Sequence, residues 1–142
     1  MAYFKNGWIV IKSAAGDELV IDEFDEDAVD IESEADKVNI RYTTKGKGVF
    51  SMLKNVPYRL TIAIPPHTNT MKRVIDFLNV LKNKDYPDLT FSTYEKIDTK
   101  TKITSYEDGN IAQDLFYESI MKDDAPTGTF QIVGTRTGEE FQ

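Results

Sequence analysis

The sequence predicts a mainly β protein: an antiparallel β-sandwich or partly closed barrel with one flanking α-helix over about residues 70–84. Two periodicities carry this. Short runs place apolar residues at every second position, as strands with one buried face require, and a single stretch places them at helical spacing. The strand-like runs are punctuated by Gly, Pro, Asn and Asp clusters, the turn chemistry of an all-β chain. At 142 residues the chain has the length of one domain able to bury a core, and 1–142 is read as a single domain. With 40% hydrophobic and 11% aromatic residues it is too apolar for a disordered segment.

Trp8–Lys12 and Glu18–Ile21 flank the turn SAAGD and read as a hairpin. In Ala28–Glu34, Val29 and Ile31 point to one side while Asp30, Glu32 and Glu34 point to the other, giving a half-buried strand with an acidic face. Val38–Thr43 alternates likewise and is expected to pair with it across the turn SEAD. TTKGKG is a further turn, Val49–Lys54 a strand, KNVP a turn, and Tyr58–Ile64 a strand ended by Pro65 and Pro66, so the first half reads as a meander. Between Thr70 and Lys84 the period changes: Met71, Val74, Ile75, Leu78 and Leu81 share one helical face. Thr68, Asn69 and Thr70 offer N-cap oxygens, Lys82 and Lys84 suit the C-terminal end of the dipole, and YPD stops the helix. Leu89–Ile97, Lys102–Tyr106 and Thr129–Val133 are strands, with turns at DTKT, EDGN and DDAPTG. Ile111–Met121 suits a short helix or a strand, and strand is the preferred reading. Residues 1–7 and 135–142 are expected to be flexible or ordered only on assembly.

Charge is concentrated in Asp17–Asp36, which holds eleven of the 24 acidic residues and no Lys or Arg. The chain as a whole carries a net charge of -7, so the remainder is mildly basic. That balance disfavours a nucleic-acid grip through phosphates, which depends on Lys and Arg displacing counterions. The absence of Cys excludes disulfides, thiolate metal sites and cysteine nucleophiles. The N-terminus lacks the apolar core of a signal peptide, and the longest apolar runs are far too short to span a bilayer, so the chain is expected to be cytosolic when made and to use no membrane.

Catalytic signatures are missing. His67 is the single histidine, and a triad or histidine metal site needs companions, so it reads as a surface loop residue. The glycines of KGKG and APTGT match no phosphate-binding loop. Adjacent acids in Asp22–Asp27 lack the contrasting environments that glycoside hydrolysis demands. Asp22, Asp25, Asp27 and Asp30 offer oxygens to calcium, but without the Gly and the flanking helices of an EF-hand; a hydrated acidic run is the favoured reading. No enzyme activity, cofactor or metal is expected.

The segment FDEDAVDIESEADKVNIRYTTKGKGVF followed by YRLTIAIPPHTNTMKRVIDFL resembles the tail tube proteins of long-tailed bacteriophages and related contractile injection particles. The resemblance covers roughly residues 8–134 as an order of elements and is best over Phe24–Leu78. It implies self-assembly into hexameric rings stacked as a tube through which DNA passes without specific binding, with sheath, baseplate, tape-measure and tail-terminator proteins as partners. The setting implied is the virion tail, assembled in the bacterial host cytoplasm. Asp30, Glu32, Glu34 and Asp36 would line the channel, where acid repels phosphate. Asp22, Glu23, Asp25, Glu26 and Asp27, with Lys45 and Lys47, would lie in loops between subunits or rings. Two alternatives stay open: another ring-forming tail or baseplate component of the same fold, and a monomeric acidic β-sandwich that binds calcium or a basic partner. A small acid-dependent hydrolase would need a cleft the sequence does not reveal.

Overall fold

Alternation builds the sheet, and helical periodicity supplies its cover. The computed structural model describes residues 2–3, 7–22, 29–34, 38–52, 56–64, 69–116 and 128–142. Along the chain these form β1 (Ala2–Tyr3), β2 (Gly7–Ser13), β3 (Glu18–Ile21), β4 (Val29–Ser33), β5 (Val38–Tyr42), β6 (Gly48–Met52) and β7 (Pro57–Ile64), then α1 (Asn69–Asn83), β8 (Leu89–Ile97), β9 (Lys100–Phe116) and β10 (Gly128–Phe141). Eight strands make one antiparallel sheet in the order β1-β4-β7-β10-β9-β8-β2-β3, and β5 and β6 make a separate two-stranded sheet. The outermost strands of the large sheet, β1 and β3, do not pair with each other, so it stays open rather than closing into a barrel. The mainly β, one-helix expectation holds.

One core lies on the inner face. Ile9 and Ile11 of β2, Leu19 and Ile21 of β3, Val29 of β4 and Leu60, Ile62 and Ile64 of β7 meet Phe91, Tyr106, Phe130 and Ile132 there. Helix α1 adds Val74, Phe77, Leu78 and Leu81. It packs against β3 and against the part of β9 that β8 does not reach, since β8 starts at Leu89, the partner of Gly109. Polar contacts fasten the helix to the β3 end. Lys84 Nζ lies 2.9 Å from Asp17 Oδ2, and an Arg73 Nη1 donates to the Val20 carbonyl at 3.3 Å. The β2–β3 turn is held by Ser13, whose Oγ accepts from the N–H groups of Ala15 and Asp17 at 3.2 Å each.

Four expectations are corrected. Val38–Tyr42 does not pair with the acidic strand: β4 pairs with β7, and β5 with β6. The reason is side-chain complementarity, because β7 sets Leu60 and Ile62 beside Val29 and Ile31 on the core face and Arg59 beside the acids on the other. The registers of the two ladders differ by a single residue, and the Glu34 N–H donates to the Pro57 carbonyl at 2.9 Å just beyond β4. In chain order the β5–β6 pair is therefore nested between the two strands of the β4–β7 pair. The first half is then no meander, since β2–β3 and β4–β7 lie on opposite sides of the β10-β9-β8 centre.

The EDGN segment is a bulge inside β9, not a turn. Asp108 has a φ of 51°, and the pairing to both β8 and β10 shifts register around it. The bulge reverses the alternation, so that Tyr106 and, five residues on, Ile111 both face the core, as does Leu115. Ile111–Phe116 is accordingly strand, while 117–121 lie outside the described residues. Last, residues 135–141 are strand, paired with β9 through Phe141↔Lys102 and closed by reciprocal main-chain bonds between Gln142 and Thr101 at 2.9 and 2.8 Å. Order there comes from within the chain.

Gly109 sits where strands approach closely: a Cβ there would meet the Val133 carbonyl oxygen at 2.8 Å and that of Leu89 at 3.1 Å. Main chain cannot yield as a side-chain tip can. Gly109→Ala should lower unfolding stability in urea by about 1–3 kcal/mol, whereas Gly138→Ala, with nothing within 4 Å, should leave it unchanged or raise it by less than about 1 kcal/mol.

Candidate functional site

The features that could serve a function are the outer face of the sheet, its two free edges and the β5–β6 arm. On β4 the alternation does place Asp30, Glu32 and Glu34 on the side opposite Val29 and Ile31. Their surroundings differ. Asp30 is half-buried beneath the β1 pairing Tyr3↔Asp30, and its Oδ1 is buried with no hydrogen-bond partner among the described residues. Glu32 is exposed opposite Arg59 in register and makes no ion pair among the described residues. Glu34 is bound to that arginine, Nε to Oε1 at 2.5 Å, with the two side chains 35% and 36% exposed.

Arg59 is the residue that sequence reasoning missed here. Its Nη1 donates to Gln131 Oε1 at 2.6 Å, so one guanidinium links β4, β7 and β10 across the outer face. The face is mixed rather than uniformly acidic, and Glu32 is its open carboxylate. The signal lay in YRLTI, where Arg59 alternates with the core residues, but only the β4–β7 register brings it to Glu34.

The other half of the outer face has different chemistry. Trp8 and Tyr94 stack with centroids 5.0 Å apart, and Lys96 Nζ lies 5.8 Å from the indole. On the core side of the sheet, in the C-terminal half of β10, Arg136 lies 3.8 Å over the Tyr58 ring, donates to the Tyr106 hydroxyl at 2.9 Å and pairs with Glu139 at 2.8 Å. Tyr106 in turn stacks on Phe91 at 4.6 Å. Burial pushes the Tyr106 hydroxyl above its ordinary value of 10.0, with the Arg136 hydrogen bond and charge pulling the other way. This stack ties the last strand to the core.

The remaining candidates are scattered. Asp22 is exposed at the end of β3, 3.6 Å from Arg73, near the opposite end of the sheet from β4. The structure thus splits the acidic stretch between two regions. Lys45 and Lys47 sit exposed at the tip of the β5–β6 arm, where the Thr43 N–H donates to the Lys47 carbonyl at 2.9 Å and Gly46 takes a φ of 80°. Asp36, Glu23, Asp25, Glu26 and Asp27, and also His67, lie outside the described residues. Among the described residues no group of three or more His, Cys, Asp or Glu is placed to hold a metal, and no helix is long and apolar enough to cross a membrane.

Neither a protein-family model nor a curated protein sequence matches the chain. Among solved structures it is similar to a chain of the PVC sheath-tube complex of an extracellular contractile injection system in its extended state. There the identity is 10%, the alignment covers 94% of this chain and 87% of that one, and the TM-score is 0.48. It is also similar to a chain of the anti-feeding prophage cap, the tube-terminating cap, at 10% identity over 100% of this chain and 92% of that one, with a TM-score of 0.45.

Two measurements check the geometry. Because the Glu34–Arg59 pair is partly exposed, Glu34→Gln should cost less than about 1 kcal/mol of stability, and the difference should shrink in high salt. For Tyr106 the folded state holds its proton above pH 10 while the unfolded chain releases it. Its contribution is therefore complete below that pH and is lost above it, at up to about 1.4 kcal/mol per pH unit until the folded hydroxyl ionises. Urea unfolding at increasing alkaline pH should fall less steeply for Tyr106→Phe than for the wild type.

Proposed function

We propose that this chain is a structural, non-catalytic tail tube protein that assembles into hexameric rings stacked as a tube, with an acidic channel wall along which DNA passes. The observation that carries the reading is the open sheet, whose end strands β1 and β3 have no partner on their outer sides among the described residues. Free main-chain donors and acceptors at two unlike edges invite head-to-tail pairing between copies, and such heterologous contacts close into rings when the rotation allows. Six copies, stacking, the virion tail as the setting, assembly in the host cytoplasm, and sheath, baseplate, tape-measure and tail-terminator partners are what the resemblance of Phe24–Leu78 adds. In such a ring the outer face of β4 turns towards the channel. Glu32 is then the residue that repels phosphate most directly, with Asp30 on the same face and Glu34 held by Arg59, while Asp36, outside the described residues, is assigned to the wall by the resemblance alone. Repulsion keeps a transported polyanion from sticking.

Negative-stain microscopy and sedimentation of the purified protein test the assembly: rings or tubes are expected, and a monomer at high concentration would remove the reading. The wall has its own test. Glu32→Lys should leave rings and tubes intact but make them retain double-stranded DNA at low salt, a retention that added salt abolishes. Equal retention by wild-type and variant assemblies would take Glu32 out of the wall.

A further inference from the structure

A groove runs between the free edge strand β3 and helix α1. Its floor is apolar, made by Leu19, Val20, Phe77 and Val80, and Glu18 and Asp76 stand exposed on its rim. The neighbouring charges are already engaged, Asp17 with Lys84 and Arg73 with Asp22. Glu18 is the register partner of Lys12, yet neither it nor Asp76 makes an ion pair among the described residues. The groove thus presents two uncompensated carboxylates above apolar surface. It also presents main chain. The Ser13 N–H bonds the Asp17 carbonyl, which sets the odd-numbered β3 residues towards β2 and the even-numbered ones outwards. The Val20 carbonyl, bonded by Arg73, confirms that direction, and the Glu18 main-chain groups, without a partner among the described residues, are left to an incoming segment.

The chain carries a feature of the opposite character. The β5–β6 arm is a two-stranded ribbon outside the main sheet, and such a ribbon has marginal stability in water unless it packs on something. Its tip is preshaped by the Thr43–Lys47 turn and carries Lys45 and Lys47, both exposed and without ion pairs among the described residues. The arm is inserted in the chain between β4 and β7, whereas the groove flanks β3, with β10, β9, β8 and β2 between β7 and β3 in the sheet. The partner that fits is therefore another copy.

We infer that the tip of the β5–β6 arm of one copy docks in the β3–α1 groove of the next, Lys45 and Lys47 meeting Glu18 and Asp76. This rests on the proposed function only in that copies of the chain assemble. The charges select the partner and its orientation, and the apolar floor and free edge hold it.

The chain has no cysteine, so engineered thiols report contacts without background. Lys45→Cys and Asp76→Cys proteins, mixed and mildly oxidised, should cross-link at least roughly tenfold more than Lys45→Cys mixed with Glu107→Cys, because docking raises the effective thiol concentration. In sedimentation velocity the double variant Glu18→Lys/Asp76→Lys should lose association, as should Lys45→Glu/Lys47→Glu. A chain combining all four changes should recover it, a rescue that a folding defect would not produce. Micrographs of the same samples separate the two ideas. Rings without selective cross-linking or rescue overturn the docking and leave the ring reading standing. Selective cross-linking and rescue without rings sustain the docking and remove the rings. A protein that stays monomeric overturns both.

Discussion

The ladder between β9 and β10 is the constraint on which the rest of the molecule depends. Both strands are long, and each is used on its two sides: β10 receives β7, while β9 receives β8 over one part of its length and α1 over the remainder. Where β8 ends, the apolar side chains of Ile111 and Leu115 would otherwise meet water, and they pack instead against the core cluster to which the amphipathic helix contributes. The core exists because these two strands hold its opposite walls together. The β2–β3 hairpin on one side and the β4–β7 pair, extended by β1, on the other are attached to this centre.

Much of this was legible in residue order. Alternation located nearly every strand, and helical spacing located α1 to within a residue of its ends. What alternation cannot express is partnership. Val29 and Ile31 announce a buried face, but nothing local says whether β5 or β7 lies beside it, and the choice is made by Leu60, Ile62 and Arg59 some thirty positions away. EDGN has the composition of a turn because a turn and a bulge both ask for a residue tolerant of the left-handed region, here Asp108. The polar tail at 135–141 resembled a frayed end because its anchor is Arg136 lying over Tyr58, an aromatic stack between residues remote in sequence.

The acidic stretch shows the same division. That Asp30, Glu32 and Glu34 share a face follows from period two alone. That they differ in state does not: one is partly covered, one is open, and one is neutralised by a guanidinium from the next strand. Likewise the β3–α1 groove requires both that β3 be an edge and that the helix lie along it, and neither is written in the order of the residues. Charge density marked the region, and tertiary pairing decided which carboxylates remain to act.

The bulge at Asp108 carries an implication for how this chain can change. Before it, core-facing residues of β9 occupy even positions, as at Thr104 and Tyr106; after it they occupy odd ones, as at Ile111 and Leu115. Loss of one residue between Tyr106 and Ile111 together with the bulge would leave strict alternation with Ile111 and Leu115 still facing the core, whereas straightening the bulge with the residue retained would turn both to solvent and bring Ala112 and Asp114 inward. The strand is thus two half-strands in opposite numbering phase, joined by one bulged residue. Its letters are open to replacement, but its length is tied to the bulge, and divergent forms of this chain are expected to keep the extra residue and the bulge together or to lose both.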